Sequence, residues 1–262
     1  MVIRVVVSGP GKMGLQVLQA LTGETDLQPV GVLSRSPEAS SFTLGDVSLP
    51  CRTEPLELFR ELQPDVVVDF SNAERTSAIV EAAVAMGVRP VIGTSGLSSE
   101  FLEKLRVQCE QRQLGAVFAP NFAVGAVLMI YLARQAAKYF EAAEIIEMHH
   151  DQKADAPSAT SVATAEAMVK ARGRPFKRNE PQKETLEGTR RGSLEGVTIH
   201  SVRLPGLVAH QEVILGGQGQ TLTIRHDSLS RESFMPGVML AIREVMKLKG
   251  LVVGLEPLLG LD

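Results

Sequence analysis

Tryptophan is absent from this 262-residue chain, tyrosine and cysteine occur twice each, and neither sign of charge dominates, with 27 Lys plus Arg against 30 Asp plus Glu. So few stacking side chains, on a chain of formal net charge -3, exclude the basic, aromatic-studded surface that nucleic acid needs. Cys51 and Cys109 stand far apart, with no Cys or His at ligand spacing. No disulfide framework, zinc site or other metal is therefore expected, and a reducing compartment is. The longest apolar stretch, residues 122–133, stops at Arg134, well short of the roughly 20 residues that cross a bilayer. The run at residues 1–7 is too short for a signal peptide and meets Gly9 and Gly11 at once. A soluble, cytoplasmic protein with no membrane partner is the expectation.

What is present is a chain that is 44% apolar and, at roughly 150 residues per domain, long enough for one large domain or two modest ones. The β-branched run at residues 2–7 breaks at Ser8-Gly9-Pro10-Gly11, and helical spacing follows, with Met13, Val17, Leu18 and Leu21 on one face. Further apolar runs at 29–33, 66–70, 88–93 and 115–119 suit strands covered on both sides. Helix-like segments separate them, one carrying Ile79, Ala82, Ala83 and Met86, another Phe101, Leu102, Leu105 and Cys109. This alternation predicts a Rossmann-type, doubly wound parallel α/β sheet.

After Asn121 the rhythm changes. A long apolar helix, a strand ending near Met148 and a helix near 158–170 precede three runs, 197–204, 208–215 and 220–226, with no helices between them. These predict an antiparallel or mixed sheet with helices on one face. Helical spacing returns at 234–248 and is expected to pack back on the first sheet. The reading is a dinucleotide-binding domain of residues 1–121 and 232–262, with an inserted α+β substrate-binding and oligomerisation domain at 122–231. Between Lys170 and Arg191 lie eight Lys or Arg against three Glu. That segment is either a solvated loop or a flap that attracts an anion.

Gly9-Pro10-Gly11-Lys12-Met13-Gly14 fits G-x-G-x-x-G directly after a strand and at a helix start, the context in which the motif cradles a pyrophosphate. An NAD site usually carries an acid at the end of the second strand to hold the ribose hydroxyls. Here that stretch reads Val32-Leu33-Ser34-Arg35-Ser36. A guanidinium and two hydroxyls favour the 2′-phosphate of NADPH, with NADH possible as a second choice.

The densest chemistry lies at residues 147–160, which gather two His (His149, His150), a Lys (Lys153) and two Asp (Asp151, Asp155) beyond a strand, then a Pro157-Ser158 helix start. Imidazoles and an ammonium there fit acid/base work on a carboxylate substrate. His200, His210 and His226 fall within strand patterns and read as structural.

This stretch, with its histidine pair, lysine and Asp155-Ala156-Pro157-Ser158-Ala159-Thr160, closely resembles the signature of the dihydrodipicolinate reductases. The resemblance continues through the glycine turn, Gly93-Thr94-Ser95, Ala119-Pro120-Asn121-Phe122 and residues 203–210. It implies an NAD(P)H-dependent reductase of lysine (diaminopimelate) biosynthesis, acting on a small cyclic dicarboxylate and assembling as a homotetramer through its second sheet. By position it implies His149 as the catalytic histidine, Lys153 as the proton donor, His150 as a substrate ligand, and Ser158, Ala159 and Thr160 as a carboxylate-binding turn. The implied cofactor contacts are Ser8, Gly9, Pro10, Gly11, Lys12, Met13 and Gly14, then Arg35, Gly93, Thr94, Ser95, Ala119, Pro120, Asn121 and Phe122. Two positions depart from the family: Ser8 stands for its first turn glycine, and Ala159 for the glycine of P-S-G-T. Alanine suits an early helical position, but costs about a kcal/mol or more if positive φ or close contact is required. The rival readings are a non-catalytic NADPH-binding sensor on the same scaffold and a related amino-acid or keto-acid dehydrogenase.

Overall fold

A computed structural model describes residues 2–35, 40–190 and 192–261. Ser36 and Arg191, named above, lie outside the described residues. The chain divides into two compact units, Met1–Val124 with Phe234–Asp262, and Gly125–Ser233.

The first unit runs β1 (Ile3–Ser8), α1 (Lys12–Thr22), β2 (Leu27–Leu33), β3 (Ser41–Leu44), β4 (Val47–Arg52), α2 (Pro55–Leu62), β5 (Val66–Asp69), α3 (Ala73–Met86), β6 (Arg89–Ile92), α4 (Ser99–Arg112) and β7 (Ala116–Phe118). The second holds α5 (Val124–Ala136), β8 (Ala142–His149), α6 (Ala159–Arg172), β9 (Ser193–Leu194), β10 (Val197–Arg203), β11 (Ala209–Gly217) and β12 (Gln220–Ser228). The chain then returns to the first unit with α7 (Met235–Val245) and β13 (Leu251–Val253).

The first sheet has the order β13-β7-β6-β5-β1-β2-β4-β3, parallel except for the β3–β4 hairpin. Val5–Val7 and Val66–Val68 are completely buried, as a parallel sheet covered on both faces requires. The chain moves outward from β1 through β2 and β4, then restarts on the other side of β1 with β5. That reversal is the topological switch point, where open α/β sheets hold their ligands beyond the strands' C-terminal ends. Helix α7 packs against β6, β7 and α1, as its spacing predicts. The hairpin is a feature the sequence reading lacked. β3 alternates exposed and half-buried residues, and β4 buries only Leu49 and Cys51 on either side of Pro50, so neither presents an apolar run.

The second sheet has the order β12-β11-β8-β10-β9, with β8 and β10 parallel and the other pairs antiparallel. It is mixed, in line with its pattern. Ala143, Ile145, Val197, Ile199, Val213 and Leu215 point to one face and pack with Met129 and Ala133 of α5 and Ala165 and Met168 of α6. Among the described residues no helix is long and apolar enough to cross a membrane.

The basic segment is pinned at both ends. Arg172 and Arg174 pair with Glu141, Arg190 pairs with Glu144, and Phe176 is buried.

Candidate active site

The switch point is built around Gly9. Its φ is +79°, and a Cβ there would sit 2.6 Å from the Phe70 carbonyl oxygen, so both conformation and space demand glycine. A Cβ on Gly14 would sit 2.1 Å from the Gly9 carbonyl oxygen, which makes Gly14 the residue that lets α1 start beneath the turn. Gly11 differs: a Cβ on it meets nothing within 4 Å. It is the N-cap of α1, with no side-chain capping bond and no acid in the first turn. The helix start therefore has unpaired N–H groups and no competing carboxylate, which suits a phosphate.

A hollow of about 350 Å³ lies over this turn, lined by Ser8, Gly9, Pro10, Gly11, Ser34, Arg35, Phe70, Ser71, Asn72 and Arg75 among others. A second of about 280 Å³ is lined by Met13, Phe70, Asn72, Gly93, Thr94 and Ser95 among others. Arg35 is exposed, at the rim where the second strand ends. Lys12, Ala119, Pro120, Asn121 and Phe122 line neither hollow; the Phe122 ring packs 5.7 Å from that of Phe70, which lines both. Asn121 turns its side chain inward, accepting the Ala123 N–H at 2.9 Å. The glycine cradle, the bare helix start and a rim that carries no acid among the described residues fit a nicotinamide dinucleotide.

Sequence reasoning missed the group that braces these walls. Asp69, fully buried at the end of β5, accepts from Ser71 Oγ at 2.7 Å, Thr76 Oγ1 at 2.6 Å and Thr94 Oγ1 at 2.7 Å. One carboxylate thus ties the end of β5 to α3 and to the Gly93–Ser95 loop. The Thr94 hydroxyl is committed to this bond. An acid closing an all-valine run was the available signal, since such a charge must find donors.

In the second unit the period-two alternation of β8 puts Ala143, Ile145, Glu147 and His149 on one face. Arg203 of β10 and Ala209 of β11 flank His149 in register. Glu147 has 0% exposure. Its Oε1 accepts from Arg203 Nη2 at 2.8 Å and from the Ser158 N–H at 3.3 Å. Its Oε2 accepts from Arg203 Nη1 at 2.9 Å and meets His149 Nδ1 at 2.5 Å. Burial opposes the charge on Glu147, but the bonds from Arg203, Ser201 and His149 outweigh it and hold the carboxyl below the usual range. Burial also lowers the pKa of His149, helped by the charges of Lys153 and Arg203 and resisted by Glu147. The imidazole is therefore neutral near neutral pH.

Lys153 sits in the loop after β8, where its Nζ donates to Asp155 Oδ1 at 2.6 Å; Arg203 Nη2 holds the Asp155 carbonyl at 2.7 Å. That hydrogen bond from Lys153 draws the Asp155 pKa down. His150 is exposed beside this loop.

Helix α6 begins with Ser158 as its N-cap, whose hydroxyl oxygen accepts the Ser161 N–H. A run of buried hydrogen bonds follows: Ser161 Oγ donates to Gln211 Oε1 at 2.8 Å, Gln211 Nε2 to Thr164 Oγ1 at 2.8 Å, and Thr164 Oγ1 to the Thr160 carbonyl at 2.7 Å. Within the turn that the resemblance implies for carboxylates, one N–H group is already engaged. Ser158 is buried and its N–H goes to Glu147. Ala159 and Thr160, at the first helical positions, keep theirs. Ala159 is not among the residues with positive φ, so its replacement of glycine carries no backbone strain. Glu147, Arg203 and Gln211 were the residues missed in this unit; inward-facing polar positions in apolar strand patterns were their signal.

His200 and His210 are held by Glu144 and Asp227, at 2.7 Å each. These are structural partnerships on the sheet.

Comparison with known proteins agrees in both units. The family described as "Dihydrodipicolinate reductase, N-terminus" matches residues 3–122, and "Dihydrodipicolinate reductase, C-terminus" matches 125–259. A protein named 4-hydroxy-tetrahydrodipicolinate reductase from Geobacillus thermodenitrificans is 48% identical over 99% of this chain and 100% of its own length. One of the same name from Dehalococcoides mccartyi is 45% identical over 99% of each. The solved structure of a dipicolinate-bound dihydrodipicolinate reductase from Paenisporosarcina sp. TG-14 is similar with a TM-score of 0.90 and 42% identity, covering 98% of this chain and 99% of that one.

Proposed function

The chain belongs to the dihydrodipicolinate reductase family, and we propose that it is a 4-hydroxy-tetrahydrodipicolinate reductase of lysine (diaminopimelate) biosynthesis with the site roles set out here. The observation that carries this reading is that the chain holds both a glycine cradle, in its first unit, and the cluster of His149, His150, Lys153 and the α6 start, in its second. The nicotinamide, when bound, supplies a hydride to ring carbon 4 of the conjugated imine derived from the hydroxylated substrate. The ring then holds an excess electron pair over nitrogen and carbon, which one proton discharges.

Lys153 gives that proton, and its bond to Asp155 supports the role by keeping the ammonium in one place until substrate arrives. The pair is partly exposed, with side-chain exposures of 21% and 56%, so it costs little to open. His149, neutral and mostly enclosed, presents the Nε2 lone pair to the substrate and orients it by accepting a hydrogen bond there. His150 and the N–H groups of Ala159 and Thr160 bind the carboxylates, with Ser158 shaping the turn. Ser8 to Gly14 and Gly93 to Ser95 hold the dinucleotide, Ala119 to Phe122 border its nicotinamide end, and Arg35 selects NADPH over NADH. The protein works in the cytoplasm as a homotetramer.

Neither rival gains from the comparisons. Dehydrogenases such as the amine dehydrogenase of Mycobacterium smegmatis, at 17% identity and a TM-score of 0.67, share the fold alone.

The test follows NADPH oxidation with substrate generated in place by the preceding synthase. Wild type turns over, and Lys153→Ala loses about a hundredfold or more in kcat, the usual share of a positioned proton donor. Unchanged turnover in the variant removes Lys153 from the mechanism.

A further inference from the structure

We infer that Glu147 and Arg203 are the positioning pair of this site: the carboxylate decides which nitrogen of His149 carries the proton, and the guanidinium fixes the loop that carries Lys153. The inference rests on the proposed function and deepens it.

An ionised carboxylate can only accept hydrogen bonds. With Glu147 Oε2 at 2.5 Å from Nδ1, the proton of the neutral ring lies on Nδ1, and Nε2 is left with its lone pair outward. The charge on Glu147 is secured by the two-pronged contact of Arg203, at 2.8 and 2.9 Å. The same guanidinium reaches the Asp155 carbonyl at 2.7 Å, and the Asp155 carboxylate holds Lys153. Glu147 Oε1 also takes the Ser158 N–H that opens α6. Imidazole, ammonium loop and helix start are thus referred to one ion pair, whose carboxylate is fully buried. An ion pair that merely filled space would be replaceable by apolar residues of similar volume. This one directs its remaining bonds to the groups of the site. The charged groups facing His149 are Glu147 on its own strand, Lys153 from the following loop and Arg203 from β10.

Glu147→Gln tests this by a geometric constraint. The amide nitrogen must take the place of one carboxylate oxygen, and both places face donors. Arg203 and the Ser158 N–H cannot become acceptors, whereas His149 can, by moving its proton to Nε2. The experiment is 15N NMR of histidine-labelled full-length protein above the ordinary histidine pKa of 6.5, with His149 assigned from the signals lost in His149→Asn. The expected result is an Nδ1–H ring in wild type and an Nε2–H ring in Glu147→Gln. In that variant kcat falls by about tenfold or more, while the KM for NADPH is unchanged. Arg203→Lys, which keeps charge without the fork, lowers kcat in the same way.

An Nε2–H ring in wild type overturns the inference, whether or not the variants fold. So does a Glu147→Gln enzyme with wild-type kcat, whichever ring form it shows. A wild-type protein that reduces nothing sinks the proposed function instead, and the wild-type ring spectrum still judges the pair.

Discussion

At the scale of single residues the account turns on a few positions where only one side chain serves. Gly9 combines φ of +79° with a Cβ position 2.6 Å from a carbonyl oxygen. Gly9→Ala is expected to cost at least about 1 kcal/mol and to abolish tight NADPH binding, read by denaturant unfolding and cofactor fluorescence. Gly11→Ala, with open space around it, is expected to keep the stability and lose affinity alone. Arg35→Ala removes one charge-assisted contact, roughly 1.5 kcal/mol or about tenfold, so the KM for NADPH rises by that factor while that for NADH stays put. Equal changes for both cofactors would remove Arg35 from discrimination. The glycines and the histidine and lysine cluster were legible in the sequence because their types and spacing are tied to one chemistry. Asp69, Glu147 and Arg203 were not, because a buried charge declares itself only through partners that are distant in sequence, such as Thr94 for Asp69 or Arg203 for Glu147.

Among elements, the apolar runs of β1, β2, β5, β6 and β7 could be read directly, since burial on both faces leaves an unbroken β-branched signature, and so could α1, α3 and α4, but not the short α2. The β3–β4 hairpin and the two-residue β9 gave no such signature, being half exposed or too short to show a period. The element that matters most for the substrate is α6. Its first turn is anchored to β11 through Ser161, Gln211 and Thr164, all nearly or fully buried. Gln211→Leu takes one acceptor from the Ser161 hydroxyl, which keeps its contact with Ser158 Oγ at 2.7 Å, and deprives Thr164 Oγ1 of its donor. A loss of about 2 kcal/mol is expected in urea unfolding, with a raised KM for the diacid and an unchanged KM for NADPH. Equal effects on both constants would show that the anchor serves the whole fold and not the turn.

For the molecule as a whole, acid stability follows from the shifted groups. Burial holds His149 and His226 below the ordinary histidine value of 6.5. The unfolded chain therefore takes protons first, and this contribution, full above 6.5, declines as pH falls through the lowered folded values. Glu147, held low by its partners against burial, adds a second decline below its ordinary 4.5. Thermal unfolding across this range is expected to show Tm falling steadily on acidification, and a flat profile would contradict it. Assembly is the other whole-molecule expectation. β12 is an edge strand with most residues exposed, Leu222 among them, and covering such an edge is a common reason to associate. Light scattering should return four chain masses, and a monomer would refute the proposed homotetramer. The most direct test of the central claim is a crystal structure with NADPH and pyridine-2,6-dicarboxylate, a planar analogue of the substrate. The account predicts the diacid against His150, Lys153 and the N–H groups of Ala159 and Thr160, with its ring touching the nicotinamide and His149 Nε2. A diacid bound elsewhere, or those side chains turned to solvent away from it, would contradict the account.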